Sequence, residues 1–308
     1  MSQASTSTST STSTGAGGSL KHWIMASRLR TLPAAIAPVL IGCAMVFADG
    51  QVHALSAAAA LTGAILIQIG TNYANDYFDF INGADNEKRV GPTRATAAGL
   101  ITPGAMRAAF ILTFALTVPI TAYLAVRGGW PVVVIGVTSV ISGILYTGGP
   151  RPLGYMGLGD IFVLVFFGPV AVAGTYYVQA LSVTPAVIVA GLAPGLISTA
   201  ILVVNNLRDM KTDAEVGKNT LAVRFGPTFA RYEYLLCILV AAAVPVILAL
   251  WTGSHWPAAA AALILIPARP IVSSMWSDEG RALDPNLART GRLLAMYSAL
   301  FSVGWVLG

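Results

Sequence analysis

Apolar stretches long enough to cross a bilayer recur nine times along this chain, at 28–48, 54–80, 104–126, 130–147, 158–178, 184–206, 230–251, 255–275 and 289–307. A helix rises about 1.5 Å per residue, so roughly 20 apolar residues span the hydrocarbon. Backbone N–H and C=O groups find no water there, and a helix satisfies them within its own segment. The stretches therefore predict an all-α polytopic membrane protein with nine transmembrane helices. Composition agrees: 56% of the 308 residues are hydrophobic and only 10% are charged, against roughly 25% charged in soluble domains. Most stretches are joined by short loops containing Gly or Pro, while 81–103, 207–229 and 276–288 are longer and charged. The opening "MSQASTSTSTSTSTGAGG" has no apolar stripe to bury, so residues 1–20 are expected to form a disordered tail. It lacks the basic and apolar regions of a signal peptide. Residues 21–308 are expected to form a single membrane domain.

The charged minority is one-sided. With the N-terminus placed in the cytoplasm, only Arg127 of the 18 Lys and Arg residues falls outside, as the positive-inside rule requires. The chain is expected in the cell membrane, with its N-terminus in the cytoplasm and its C-terminus outside. Cys43 and Cys237 lie far apart in apolar stretches, and His22, His53 and His255 are isolated near predicted membrane edges. Neither set has the spacing of a disulfide framework or a zinc site.

Two polar stretches interrupt this pattern: "NYANDYFDFINGAD" (72–85) and "NNLRDMKTDAEVGKNT" (205–220). Spacings of three and four put Asn72, Asn75, Asp76 and Asp79 on one helix face, and spacings of four do the same for Asn205, Asp209 and Asp213. Asp85 lies beyond Gly83, in the loop. Both stretches end helices that run from outside to inside, so both sit at C-terminal helix ends on the cytoplasmic side. A helix C-terminus carries about half a negative charge, and carboxylates there are unfavourable unless cations occupy the place. Donors that are all oxygen suit Mg²⁺ rather than zinc, and Mg²⁺ usually shares its shell with water and substrate phosphates. Lys88, Arg89 and Arg94 follow the first stretch, and Arg208, Lys211 and Lys218 lie in the second. Acids that hold metal, with metal and bases that hold phosphate oxygens, describe a Mg²⁺-bridged diphosphate site. Each base taken singly also reads as a cytoplasmic anchor.

Four stretches carry a resemblance: "ASRLRTLPAAIAPVLIG" (26–42), "NYANDYFDFINGAD" with "GPTRATAAGLI" (91–101), "YTGGPRPLGYMGLGD" (146–160) and "NNLRDMKTDAEVGKNTLAVRFG" (205–226). The chain resembles the UbiA-type intramembrane prenyltransferases, and most closely their branch acting on 1,4-dihydroxy-2-naphthoate. Asp160 stands where that branch is expected to carry Glu, a carboxylate one methylene longer. The resemblance implies nine helices around a central cavity. It also implies two Asp-rich motifs, on helices 2 and 6, binding Mg²⁺ and a polyprenyl diphosphate. The implied reaction joins the allyl group to an aromatic carbon of 1,4-dihydroxy-2-naphthoate, releases pyrophosphate and carbon dioxide, and gives demethylmenaquinone.

On this reading Asp76, Asp79, Asp209 and Asp213 are the catalytic metal-holding acids, with Asn72, Asn75 and Asn205 beside them. Lys88, Arg89, Arg94, Lys211 and Lys218 are the candidates to clamp phosphate oxygens. Tyr146, Arg151 and Asp160 are candidates for the acceptor and cation pocket. Phe162, Phe166 and Phe167 are candidates for the cation-pocket wall that read first as ordinary packing, and Tyr73 and Tyr77 read equally as interface residues. The base that activates the acceptor is a carboxylate of either motif or Asp160. The partners expected are the two substrates and membrane lipid, with no nucleic acid and no obligate protein partner. A transporter would also explain acids in a membrane. However, these motifs repeat in the same orientation at one membrane face, unlike inverted repeats around a mid-membrane site.

Overall fold

The computed structural model describes residues 18–85 and 90–308. Their apolar helical segments follow the predicted order: α1 (Leu20–Ala48), α2 (Ala54–Ile81), α3 (Pro103–Gly128), α4 (Trp130–Leu145), α5 (Gly159–Ala180), α6 (Pro185–Glu215), α7 (Leu221–Thr252), α8 (Trp256–Ser277) and α9 (Gly280–Leu307). Eight are long and apolar enough to cross a membrane, and α4 is a shorter apolar helix. Among the described residues there is no strand.

The helices outrun the apolar stretches that predict them. Of the expected connection at 207–229, only 216–220 and the kink at Gly226 are non-helical, because α6 continues to Glu215 and α7 starts at Leu221. Charged side chains reach interfacial water while the backbone hydrogen bonds continue, so hydropathy underestimates helix length. At the other end Ser19 caps α1, which opens at Leu20 rather than at 28. The expected tail thus stops short of 20, and its residues up to 17 lie outside those described. α1 breaks at Arg28, which has φ 50°, and resumes after a 3₁₀ turn at Leu29–Thr31. Two amides from α2 hold that break. Asn72 Nδ2 donates to the Ser27 carbonyl (2.9 Å) and to Thr31 Oγ1 (3.0 Å), and Gln68 Nε2 donates to Thr31 Oγ1 (2.9 Å).

α6 lies at the centre: 67% of its apolar window is buried, the largest share among the spans. It packs against α1, α5, α7 and α9. α3 and α4 instead turn large apolar side chains outward, including Leu112, Val126, Val133 and Val137, as a lipid-facing surface should. Arg127, the one base expected on the outer side, donates Nε and Nη2 to the Val178 and Gln179 carbonyls at the end of α5 (both 2.9 Å). A cation that caps orphan carbonyls is stabilised where it stands, and needs no cytoplasmic water.

The contact between α5 and α6 leaves no room for side chains. α5 is interrupted at Phe167–Gly168, ahead of Pro169. Gly191 and Gly195, one turn apart on α6, press against this break. A Cβ at Gly195 would fall 2.4 Å from the Leu164 carbonyl oxygen, and one at Gly191 would fall 2.6 Å from the Pro169 Cα. Both neighbours are backbone, so neither can rotate away. Small residues four apart give close helix approach in membranes, and here they fix α6 against the break in α5. Gly195→Ala should destabilise the protein by about 1–3 kcal/mol, seen as a lower unfolding midpoint in detergent. Gly104→Ala, which meets nothing within 4 Å, should leave the midpoint unchanged.

Candidate active site

The last turns of α2 and α6 carry the two polar stretches, and the fold brings them to one end of the bundle. They meet at Tyr155, in the 3₁₀ turn Leu153–Met156 between α4 and α5. The Tyr155 hydroxyl donates to Asp79 Oδ1 (3.3 Å), and its carbonyl accepts the Asn219 N–H (3.0 Å). Lys218 Nζ stands 5.9 Å from the centre of its ring and 3.4 Å from Asp213 Oδ1. One acid from each stretch is thereby tied to the same tyrosine. Burial and the adjacent Asp79 charge raise the Tyr155 pKa above the ordinary tyrosine value, so the hydroxyl remains a donor wherever the carboxylates are ionised.

The first stretch is built around a buried arginine. Arg94 Nη2 donates to Asp79 Oδ2 (2.7 Å), and Arg94 Nε lies 3.4 Å from Asp85 Oδ2. Among the described residues Arg94 Nη1 is buried without a hydrogen-bond partner. Asp76 holds the loop that delivers this arginine: its two oxygens accept the N–H groups of Ala95 (3.1 Å) and Thr96 (2.9 Å). Asn75 Oδ1 accepts from Thr147 Oγ1 (2.9 Å), and Asn82 Nδ2 donates to the Thr147 carbonyl (3.0 Å). Asn72 was expected beside the metal. Its Nδ2 is engaged at the α1 break, and its Oδ1 is the atom a metal would take.

In the second stretch Arg208 organises the acids. Its side chain is fully buried. It donates Nε to Asp209 Oδ1 (2.8 Å), Nη2 to Asp209 Oδ2 (2.6 Å) and to Asn205 Oδ1 (2.7 Å), and Nη1 to Asp284 Oδ1 (2.9 Å). Asp209 is therefore neutralised by its own neighbour in sequence. Asp213 keeps a buried Oδ2 with no hydrogen-bond partner.

The remaining expected residues divide. Lys211 is not brought to the site: it pairs with Glu279 (3.5 Å), and the two side chains are 82% and 70% exposed. Two residues on from Asp209 is about 200° around a helix, which turns it away. Lys88 and Arg89 lie outside the described residues. Arg151 is exposed in the loop after α4. Tyr146 lies over two glycines: a Cβ at Gly159 would fall 2.9 Å from its hydroxyl, and one at Gly154 would fall 3.3 Å from its ring. Asp160 is buried in the first turn of α5, and its Oδ1 has no hydrogen-bond partner. Phe162 and Phe166 stack on each other at 6.0 Å, while Phe167 stands at the break of α5.

Sequence reasoning missed Tyr155, Asp284 and Glu233. Tyr155 lies inside a stretch that carried the resemblance, yet nothing in its spacing marks it. Asp284 meets Arg208 across 76 positions and leaves no local signal. Glu233 had one: an acid inside the apolar stretch 230–251 is a functional candidate by default. Among the described residues, no three Asp, Glu, His or Cys side chains close into a metal cage. The arrangement instead offers two acidic helix ends, each partly neutralised by the chain's own bases, facing one another across Tyr155 and Lys218.

Residues 35–290 match the family model described as the UbiA prenyltransferase family. The chain is 39% identical over 295 residues to the 1,4-dihydroxy-2-naphthoate octaprenyltransferase of Escherichia coli (strain K12), covering 92% of this chain and 94% of that one. It is 40% identical over 286 residues to the protein of the same name from Mycobacterium tuberculosis (strain ATCC 25618 / H37Rv), covering 91% and 95%. In fold it is similar to a UbiA homolog from Archaeoglobus fulgidus bound to GPP and Mg²⁺, with a TM-score of 0.64 at 16% identity, covering 91% of this chain and 99% of that one. The chain belongs to the UbiA prenyltransferase family.

Proposed function

We infer that this protein transfers a polyprenyl group from an allylic diphosphate to 1,4-dihydroxy-2-naphthoate, with loss of carbon dioxide, giving demethylmenaquinol, the reduced form of demethylmenaquinone. The acceptor follows from relatives of that name at 39% and 40% identity over nine-tenths of the chain. The observation that carries the chemistry is the meeting of one acid from each helix end at Tyr155 and Lys218. In the reaction the allylic C–O bond breaks and its electron pair leaves with pyrophosphate. The aromatic carbon bearing the carboxylate bonds to the allyl carbon. Carbon dioxide then departs, and the pair it leaves behind restores the ring.

The residues fit a divalent metal of the Mg²⁺ kind. The donors are carboxylate oxygens, and the buried Oδ2 of Asp213 lacks a partner. Asp79 and Asp213 would hold such a metal, with Asp76 and Asp209 behind them. The open geometry leaves coordination positions to water and to the diphosphate. When bound, Mg²⁺ supplies positive charge to the departing pyrophosphate. The chain's own groups account for the rest. Arg94, through its unpartnered Nη1, and Lys218 hold phosphate oxygens. Tyr155 keeps Asp79 and Lys218 in register. Arg151 stands in the loop where the acceptor carboxylate would enter. The apolar bundle keeps water from the allyl cation until the ring reaches it. On the asymmetry of Lys and Arg, we place this end and the N-terminus in the cytoplasm and the C-terminus outside.

Product formation from radiolabelled polyprenyl diphosphate and 1,4-dihydroxy-2-naphthoate in detergent tests the reading. EDTA should stop it and Mg²⁺ should restore it. Asp79→Asn and Asp213→Asn should each lower turnover by about 100-fold or more; near-normal turnover in both would remove the acids from the reaction. Lys218→Met should raise the KM for the diphosphate by about tenfold, whereas Lys211→Met should stay within about twofold, as a surface pair would. Tyr155→Phe should raise the diphosphate KM and the Mg²⁺ concentration for half-maximal rate together. A change confined to the acceptor KM would refute its link to both acids.

A further inference from the structure

Glu233 is an acid inside the membrane that the diphosphate site does not use. It lies on α7, two turns beyond the kink where Gly226 adopts φ 84° ahead of Pro227. Ala230, Cys237 and Ala241, at offsets of −3, +4 and +8, are all buried, whereas Tyr232, Leu236 and Leu239 are exposed. Helical periodicity therefore turns Glu233 into the bundle and away from lipid. It makes no hydrogen bond or ion pair with any described residue.

Asp160, in the first turn of α5, is a second acid of this kind. It is 5% exposed, and its Oδ1 has no hydrogen-bond partner. Its backbone carbonyl accepts from Thr199 Oγ1 of α6 at 3.4 Å, and α6 packs directly on α7. The charges of Asp160 and Glu233 are close enough to act on one another, and both act on Cys237. Tyr146, whose hydroxyl lies over Gly159, is within electrostatic reach of Asp160, Asp79 and Asp213. The two acids thus lie next to the diphosphate end without belonging to it.

A carboxylate with no partner and a buried one with an orphan oxygen are costly inside a membrane unless something completes them. The cations of the site are already engaged: Arg94 with Asp79 and Asp85, Arg208 with Asp209 and Asp284, and Lys218 with Asp213. A ligand that brings hydrogen-bond donors fits the need. On the function proposed above, the acceptor carries two hydroxyls at opposite positions of one ring. We propose that Asp160 and Glu233 accept the hydrogen bonds of these two hydroxyls and so select and orient the diol. Their pull on the two protons enriches the ring for attack on the allyl cation. Their like charge turns the acceptor's own carboxylate away from them. A ring that lacks one hydroxyl leaves a buried carboxylate unmatched, which is how polar sites reject such analogues.

The test uses the full chain in nanodiscs and compares two probes. The first is the KM for 1,4-dihydroxy-2-naphthoate. The second is the inhibition constant of 1-hydroxy-2-naphthoate, which lacks one hydroxyl, as a competitor. The wild type should favour the diol by about tenfold or more. Glu233→Gln and Asp160→Asn should each raise the KM for the diol by a similar factor, and the preference should collapse toward unity in whichever variant faces the missing hydroxyl. Asp160→Glu, which keeps the carboxylate, should retain the preference. In every variant the KM for the diphosphate and the Mg²⁺-dependent binding of pyrophosphate by calorimetry should be unchanged, which also reports that the protein is folded. Wild-type KM and preference in both Gln and Asn variants would overturn the inference, as would a change in the diphosphate KM alone. Prenylation by the wild type of a different aromatic acceptor, with the diol untouched, would instead overturn the function on which it rests.

Discussion

Negative charge at the C-terminal end of a helix is the constraint around which this end of the molecule is arranged. α2 and α6 both finish in carboxylates, where the helix dipole opposes them. The chain answers with its own bases. Arg208, with no exposed side-chain surface, spans Asn205, Asp209 and Asp284. That joins the end of α6 to the start of the α-helical part of α9. Arg94 joins Asp79 and Asp85, and Lys218 closes on Asp213. Removing one partner of a buried pair costs about 3–5 kcal/mol, because the other charge is left without compensation. The polar end is thus part of the fold as much as of the site.

On the function proposed above, the same pairs would make the site ready for a charged substrate. A diphosphate with its metal brings both signs of charge. Metal can take carboxylate oxygens and phosphate can take guanidinium and ammonium groups, so each group leaves one opposite charge for another. The groups are already aimed, and little reorganisation is required as charge develops on the leaving group. Tyr155 contributes a hydroxyl, a ring face and a carbonyl to three different partners. A turn of four residues thereby holds two distant helix ends in register.

Much of this was legible in the sequence. Hydrophobic runs gave the order of the helices, and spacings of three and four put the acids on common faces. The ends of the helices were less visible, because hydropathy registers apolar surface and the last turns of α6 and the first of α9 are polar. Asn72 looked like part of a metal shell by spacing alone. Its Nδ2 has a second task, donating to the Ser27 carbonyl and to Thr31, a need created by the break in α1 that no local pattern announces. Lys211 looked like a phosphate ligand by proximity in sequence, and helical rotation sends it to the surface. Asp284 and Tyr155 act through contacts between distant segments, which one sequence without relatives does not encode locally. Glu233 was the visible omission, since a carboxylate amid apolar residues marks itself.

The loop after α2 is fastened at both margins to α2. Asp85 and Asp79 both meet Arg94, and Asp76 receives the amides of Ala95 and Thr96. Asp76 and Asp79 are one turn apart, about 4.5 Å along the axis, so the helix works as a ruler against which the returning chain is measured. Arg94 is therefore placed by α2 itself: slipping Ala95 and Thr96 by one residue on Asp76 would carry its guanidinium away from Asp79 and Asp85.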